Sequence, residues 1–119
     1  DASIIAIPGP SAVIAALSVS GFAANKFTFL GYPPVKNKRK KFLENIKNIE
    51  IRPVVLYESP HRLQKTLSGL GEIFGIDYPI FVSKELTKIH ETNFTGSIDE
   101  AKAYFEAERG KGEFVIIIP

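Results

Sequence analysis

At residue 58 the chain changes its repeat. Val54-Val55-Leu56-Tyr57 is an unbroken apolar run that stops at Glu58-Ser59-Pro60-His61-Arg62, and apolar residues then return at Leu63, Leu67, Leu70 and Phe74. A short continuous apolar run reads as a buried strand, and a spacing of three and four reads as one face of a helix. A strand that passes so abruptly into a helix is the building unit of layered α/β domains. Ser59 and Pro60 suit the handover: serine is a good N-cap, and proline fits the first helical position.

The same alternation recurs along the chain. Residues 3–7 are a short apolar run closed by Pro8-Gly9-Pro10, and Ser11 is then an N-cap for a helix from Ala12 to Ser18 that ends by Gly21. Phe27-Thr28-Phe29-Leu30 reads as a strand closed by Gly31-Tyr32-Pro33-Pro34. From Lys38 to Ile49 the residues Phe42, Leu43, Ile46 and Ile49 form one helical stripe against a charged face. Gly75 stops the helix after the 54–57 strand, and Tyr78 to Ser83 is the next strand. Glu91 to Thr95 reads as a short edge strand turning at Gly96. A helix over Ile98 to Arg109 and a strand over 113–118 complete the chain. The expected fold is α/β: a layered sandwich with a central mixed sheet of five to six strands and about four flanking helices.

At 119 residues the chain has the size of one domain. With 45% hydrophobic and 24% charged residues it has an ordinary globular composition. It has no cysteine, which removes disulfide scaffolds and thiolate chemistry and is compatible with a reducing cytosol. No apolar stretch approaches the ~20 residues of a membrane span, so no membrane partner is expected. The chain also has no methionine and opens almost directly on an apolar strand. The expectation is therefore one piece of a longer protein.

Most familiar sites are absent from the pattern. Gly69-Leu70-Gly71-Glu72-Ile73-Phe74-Gly75 misses the dinucleotide fingerprint by one position and ends a helix where the fingerprint opens one, so helix termination accounts for its glycines. His61 and His90 match no zinc spacing, and no metal is expected. No G-x-S-x-G elbow marks a nucleophile. Two features remain. Lys36-Asn37-Lys38-Arg39-Lys40-Lys41 puts five cations in six positions at a helix start, where they oppose the helix dipole. That suits a solvated surface or a polyanion contact, since net charge is only +2 and no aromatic residue is interleaved for base stacking. The turn at Glu58-Ser59-Pro60-His61-Arg62 holds more chemistry than a capped turn needs. It reads either as a tidy turn or as a ligand-facing rim at the carboxyl end of a strand.

Taken in order, IPGPSAVIAALSVSGF, FTFLGYPP followed by Lys36 and Arg39, VLYESPHRLQKTL, FVSKELTKIHE and the final GEFVII resemble the ribosomal RNA small-subunit methyltransferase I family. That family lies within the tetrapyrrole methylases, the class III S-adenosylmethionine-dependent methyltransferases. The resemblance covers nearly the whole chain and implies the C-terminal domain of a two-domain enzyme whose N-terminal domain, with its D-A-G-x-P signature, is not in this sequence. The implied reaction is methyl transfer from S-adenosylmethionine to a cytidine ribose 2′-hydroxyl in 16S rRNA of the small ribosomal subunit. A cytoplasmic location and a homodimer of the full-length protein go with it.

By the same resemblance, Pro10, Ser11, Ala12, Leu56, Tyr57, Ser83 and Phe114 would touch the cofactor, mostly through main-chain groups and apolar surface. Lys36, Lys38, Arg39, Lys40, His61, Arg62 and Lys84 would face RNA. Glu58 is the candidate base, against a purely structural role capping neighbouring amides. If the other wall of the cleft lies in a missing domain, Glu58, His61 and Arg62 should be exposed and under-employed. Two other readings stay open: a methylase of a small molecule such as a tetrapyrrole, disfavoured by the basic run, and a non-catalytic RNA-binding module.

Overall fold

The computed structural model describes residues 16, 17, 20–22, 26–85, 91–108 and 112–119. Within them the strand and helix signals resolve into β1 (Thr28–Gly31), α1 (Arg39–Ile46), β2 (Val54–Glu58), α2 (Pro60–Phe74), β3 (Pro79–Glu85), β4 (Glu91–Ser97), α3 (Ile98–Tyr104) and β5 (Glu113–Ile118). The strand expected at 3–7 and the Ser11 cap lie outside the described residues. So does most of the 12–18 helix, of which Ala16 and Leu17 are helical.

The sheet is mixed, in the order β1-β2-β5-β3-β4. β1 and β2 are parallel, and β5 runs antiparallel to both of its neighbours, β2 and β3. β4 is antiparallel to β3. The carboxyl ends of β1, β2 and β3 therefore share one rim with the start of β5. Interior strands are buried on both faces, which is why Val54–Tyr57 and Phe114–Ile118 read as continuous apolar runs with no alternation.

Alternation within each strand nonetheless sorts two layers. Val54, Leu56, Ile80, Val82, Phe114, Ile116 and Ile118 pack with Leu43 and Ile46 of α1, Leu63, Leu67 and Leu70 of α2, and Ile98 and Ala101 of α3. Val55, Phe81, Val115 and Ile117 form a second cluster with Ala16 and Leu17, against which Phe22, Phe27 and Tyr57 pack. Three helices among the described residues thus cover one face of the sheet.

Several boundaries differ from the sequence reading. The helix expected from Lys38 to Ile49 starts at Arg39 and ends at Ile46, because Arg52 closes it: its Nη1 donates to the carbonyls of Ile46 (2.7 Å) and Ile49 (3.1 Å). α3 stops at Tyr104, five residues short of Arg109. β4 runs on through Gly96 to Ser97, so Gly96 is a strand residue and not the turn. Of the glycines in 69–75, only Gly75, at φ 97°, ends α2. Gly69 lies inside α2 where α1 comes closest: a Cβ there would meet Leu43 Cδ1 at 2.7 Å. Helix–helix approach, not termination, explains that glycine.

Candidate functional site

Two of the three loops that close strands in the sequence are described and lie on this rim: Gly31-Tyr32-Pro33-Pro34 after β1 and the Glu58–Arg62 turn after β2. The third, at Pro8–Ser11, lies outside the described residues. The register places Glu58 beside Phe114, and Phe114 beside Lys84, in one row across the helix-covered face at this rim. Tyr57, Val115 and Ser83 form the corresponding row on the opposite face.

Glu58 is 0% exposed, and both carboxylate oxygens are engaged. Oε1 accepts from the Ser59 amide at 2.8 Å and from Arg62 Nε at 3.3 Å, and Oε2 accepts from Thr66 Oγ1 at 2.6 Å. Thr66, itself fully buried, accepts in turn from Arg39 Nη2, whose other terminal nitrogen donates to the Pro34 carbonyl at 3.3 Å. A buried carboxylate is stable only when paired and hydrogen-bonded, and this one is. The expectation of an exposed, under-employed Glu58 is overturned. With its oxygens occupied and no accessible surface, Glu58 has no reach to a substrate hydroxyl, and the capping role prevails over the role of base.

The serine beside it behaves unexpectedly too. Ser59 occupies the N-cap position of α2 with extended backbone angles, but its hydroxyl caps nothing and is buried without a hydrogen-bond partner among the described residues. Glu58 takes the amide because a charged acceptor makes the stronger bond. His61 is exposed, as expected, and its Nε2 lies 3.2 Å from Arg62 Nη1. Arg62 is half-buried and tied to Glu58, so only part of it faces outward.

The basic run divides. Lys36, Lys38, Lys40 and Lys41 are exposed, whereas Arg39 turns inward and is 8% exposed. Arg39 is thereby removed from the RNA-facing set proposed from sequence. Lys38 is the N-cap of α1 in a left-handed conformation (φ 69°), with no side-chain cap and no acidic residue in the first turn. Lys84 is also buried: it pairs with Glu108 and sits 5.9 Å over the Phe114 ring. Its charge is met within the domain, so it too leaves the RNA-facing set.

The residues expected around a cofactor separate by face. Leu56 and Phe114 are fully buried beneath the helices, and both lie in strands paired on either side, so their side chains and ladder groups are committed to the fold. Their side chains are therefore core and offer no apolar surface to a cofactor. Tyr57 and Ser83 lie on the other face. Phe29 and Tyr32 pack edge-on to Tyr57, with ring centroids at 5.0 Å and 5.6 Å. Ser83 Oγ donates to Asn93 Oδ1 at 2.9 Å. Pro10, Ser11 and Ala12 lie outside the described residues.

Tyr32 bridges this aromatic group to β5, its Oη donating to Glu113 Oε2 at 2.6 Å. Although 49% of Tyr32 is exposed, partial desolvation, then that hydrogen bond and the negative charges of Glu113 and Glu58, push its phenol up to about 12. It stays a neutral donor. Among the described residues no group of three or more His, Cys, Asp or Glu is placed to hold a metal ion. No helix among them is long and apolar enough to cross a membrane.

Thr66 is the site residue that sequence reasoning missed. A signal existed: Thr66 falls three residues after Leu63 and four before Leu70, on the stripe that α2 buries. A hydroxyl on such a stripe needs a buried partner.

Comparison with known proteins agrees with this architecture. The chain is 40% identical over 112 residues to "Ribosomal RNA small subunit methyltransferase I" of Thermotoga maritima, which covers 94% of this chain and 50% of that protein. The protein of the same name from Synechocystis is 42% identical over 116 residues, or 97% of this chain and 41% of the relative. That from Bacillus subtilis is 36% identical over 116 residues, or 97% and 39%. The chain thus spans half or less of the length of these relatives. The family model described as tetrapyrrole (corrin/porphyrin) methylases matches residues 1–102. With a family match over most of its length, the chain belongs to the tetrapyrrole methylase family.

Proposed function

We propose that this chain is the C-terminal domain of a two-domain S-adenosylmethionine-dependent methyltransferase that acts on 16S rRNA. The observation that carries the reading is the placement of four exposed lysines (Lys36, Lys38, Lys40 and Lys41) at the start of α1, which follows the rim loop after β1. A rim that joins a cationic surface to the motif-bearing turn suits a substrate with a phosphate backbone, and the names of the relatives support RNA over a small tetrapyrrole.

S-adenosylmethionine, when bound, supplies the activated methyl group. The Tyr57 side of the sheet fits such a group: Tyr57, Phe29 and Tyr32 offer aromatic surface to an adenosyl moiety, while Ser83, on the same face, is buried with its hydroxyl donated to Asn93. Leu56 and Phe114 do not fit and are assigned to the core. Within this domain the exposed lysines and His61 hold the RNA backbone, while Glu58 keeps the rim turn rigid by binding Ser59, Arg62 and Thr66. Rigid placement of the two reactants is the main source of acceleration for such a transfer. The nucleophile is a cytidine 2′-hydroxyl. We further infer a cytoplasmic homodimer of the full-length protein.

The test is a methyl-transfer and RNA-binding assay on the full-length protein, with glutamine replacing Lys36, Lys38, Lys40 and Lys41. Affinity for a 16S rRNA transcript should fall at least about tenfold, with the salt slope reduced by about 1 for each lysine that meets a phosphate. Cofactor affinity should stay within about twofold. Methylation by the 119-residue chain alone would break the two-domain reading. Tight, steeply salt-dependent RNA binding by that chain would favour an independent RNA-binding module.

A further inference from the structure

The start of α1 is unfavourable on its own terms. Its N-cap is a lysine in the left-handed region, which costs about 1 kcal/mol for a residue with a Cβ. No side chain caps it, no acidic residue occupies its first turn, and the cations around it oppose the helix dipole. The lysines of the basic run are nevertheless presented from a fixed helix. What anchors that helix is the one cation of the run that points inward.

Arg39 reaches Thr66 Oγ1 with Nη2 and the Pro34 carbonyl with Nη1. Among the described residues Arg39 makes no direct ion pair with Glu58. Thr66 stands between them, with its single proton given to Glu58 Oε2 at 2.6 Å and its lone pair taken by Arg39. One buried hydroxyl therefore couples the charge on α1 to the charge on β2, and with it the basic run to the Glu58–Arg62 turn. We propose that Thr66 is a positioning residue for RNA: through Arg39 it holds the start of α1 so that Lys36, Lys38, Lys40 and Lys41 present one cationic surface in register with the rim turn. The proposal rests on the reading of that surface as the RNA contact.

The prediction separates a positioning role from mere packing. In the full-length protein, Thr66→Val keeps the shape and removes the relay, whereas Thr66→Ser keeps the hydroxyl. For a 16S rRNA transcript, Thr66→Val should weaken binding by about 3- to 10-fold and lower the salt slope by about 1 to 2, as lysines leave the phosphates. Thr66→Ser should restore both, and affinity for S-adenosylmethionine should change less than about twofold in either. Should Thr66→Val not fold, Arg39→Met removes the outer end of the relay and leaves the Thr66–Glu58 bond. It should then weaken RNA binding more than Lys40→Met, which removes one exposed charge. A Thr66→Val protein with a lowered melting temperature but wild-type RNA affinity and salt slope would overturn the positioning role. If the four-lysine variant itself binds RNA normally, the surface reading fails first and the positioning role goes with it.

Discussion

Two serines open two helices of this domain with nearly the same backbone angles and do opposite things. Ser97 (φ −81°, ψ 163°) accepts from the Glu100 amide at 3.1 Å, while Glu100 reaches back to the Ser97 amide at 2.9 Å, a complete capping box. Ser59 (φ −86°, ψ 157°) makes no capping bond, and its hydroxyl is buried without a partner. The start of α3 is solved locally, by residues three apart at an exposed position. The start of α2 is solved by a buried carboxylate: Glu58 satisfies the Ser59 amide and is itself held by Arg62 and Thr66. The same residue type at the same helix position carries the energy in one case and not in the other.

The comparison breaks most visibly at Glu58. Replacing it with alanine leaves Thr66, Arg62 and the Ser59 amide short of an acceptor, and should cost about 3 kcal/mol, since stripping one partner from a buried charged network is expensive. Urea unfolding of the chain measures this directly, and a loss below about 1 kcal/mol would mean that the network is not what holds the turn. Next comes Ser97→Ala, which should cost about 1 kcal/mol, the ordinary value of a lost N-cap, read from the shift in urea midpoint at unchanged slope. The smallest effect is expected for Ser59→Ala. Removing a hydroxyl that has no partner should change stability by less than about 0.5 kcal/mol, or raise it slightly. Equal losses for the two serine variants would erase the distinction between a hydroxyl cap and a buried carboxylate cap.

Much of the architecture was legible from residue pattern. The apolar runs at 54–57 and 113–118 are interior strands, the 63/67/70 stripe is the buried face of α2, and Gly75 ends that helix. The S-x-x-E of Ser97 and Glu100 is a capping box that the sequence reading passed over, and that reading extended α3 to Arg109. The site was less legible. Lysines 36, 38 and 40 are exposed as the charge run implied, but Arg39 in their midst is not, and Lys84 is buried against Glu108. Charge type does not reveal which cation of a run turns inward. That depends on Thr66, 27 residues away in sequence from Arg39.

What the sequence determined alone is the periodicity: which segments are strands, which are helices, and which face of each is apolar. Those properties depend on neighbours within a few residues, so composition and spacing suffice. What only the tertiary structure decided is the state of the polar groups at the rim. Glu58 takes its donors from the turn and helix that follow it, Ser59, Arg62 and Thr66, and the pairing of β2 with β5 and the packing of α1 on α2 bury that group and bring Arg39 to Thr66. A polar side chain's role follows from its desolvation and its partners, and here the desolvation of Glu58 and the reach of Arg39 to Thr66 are set by residues far away in the chain.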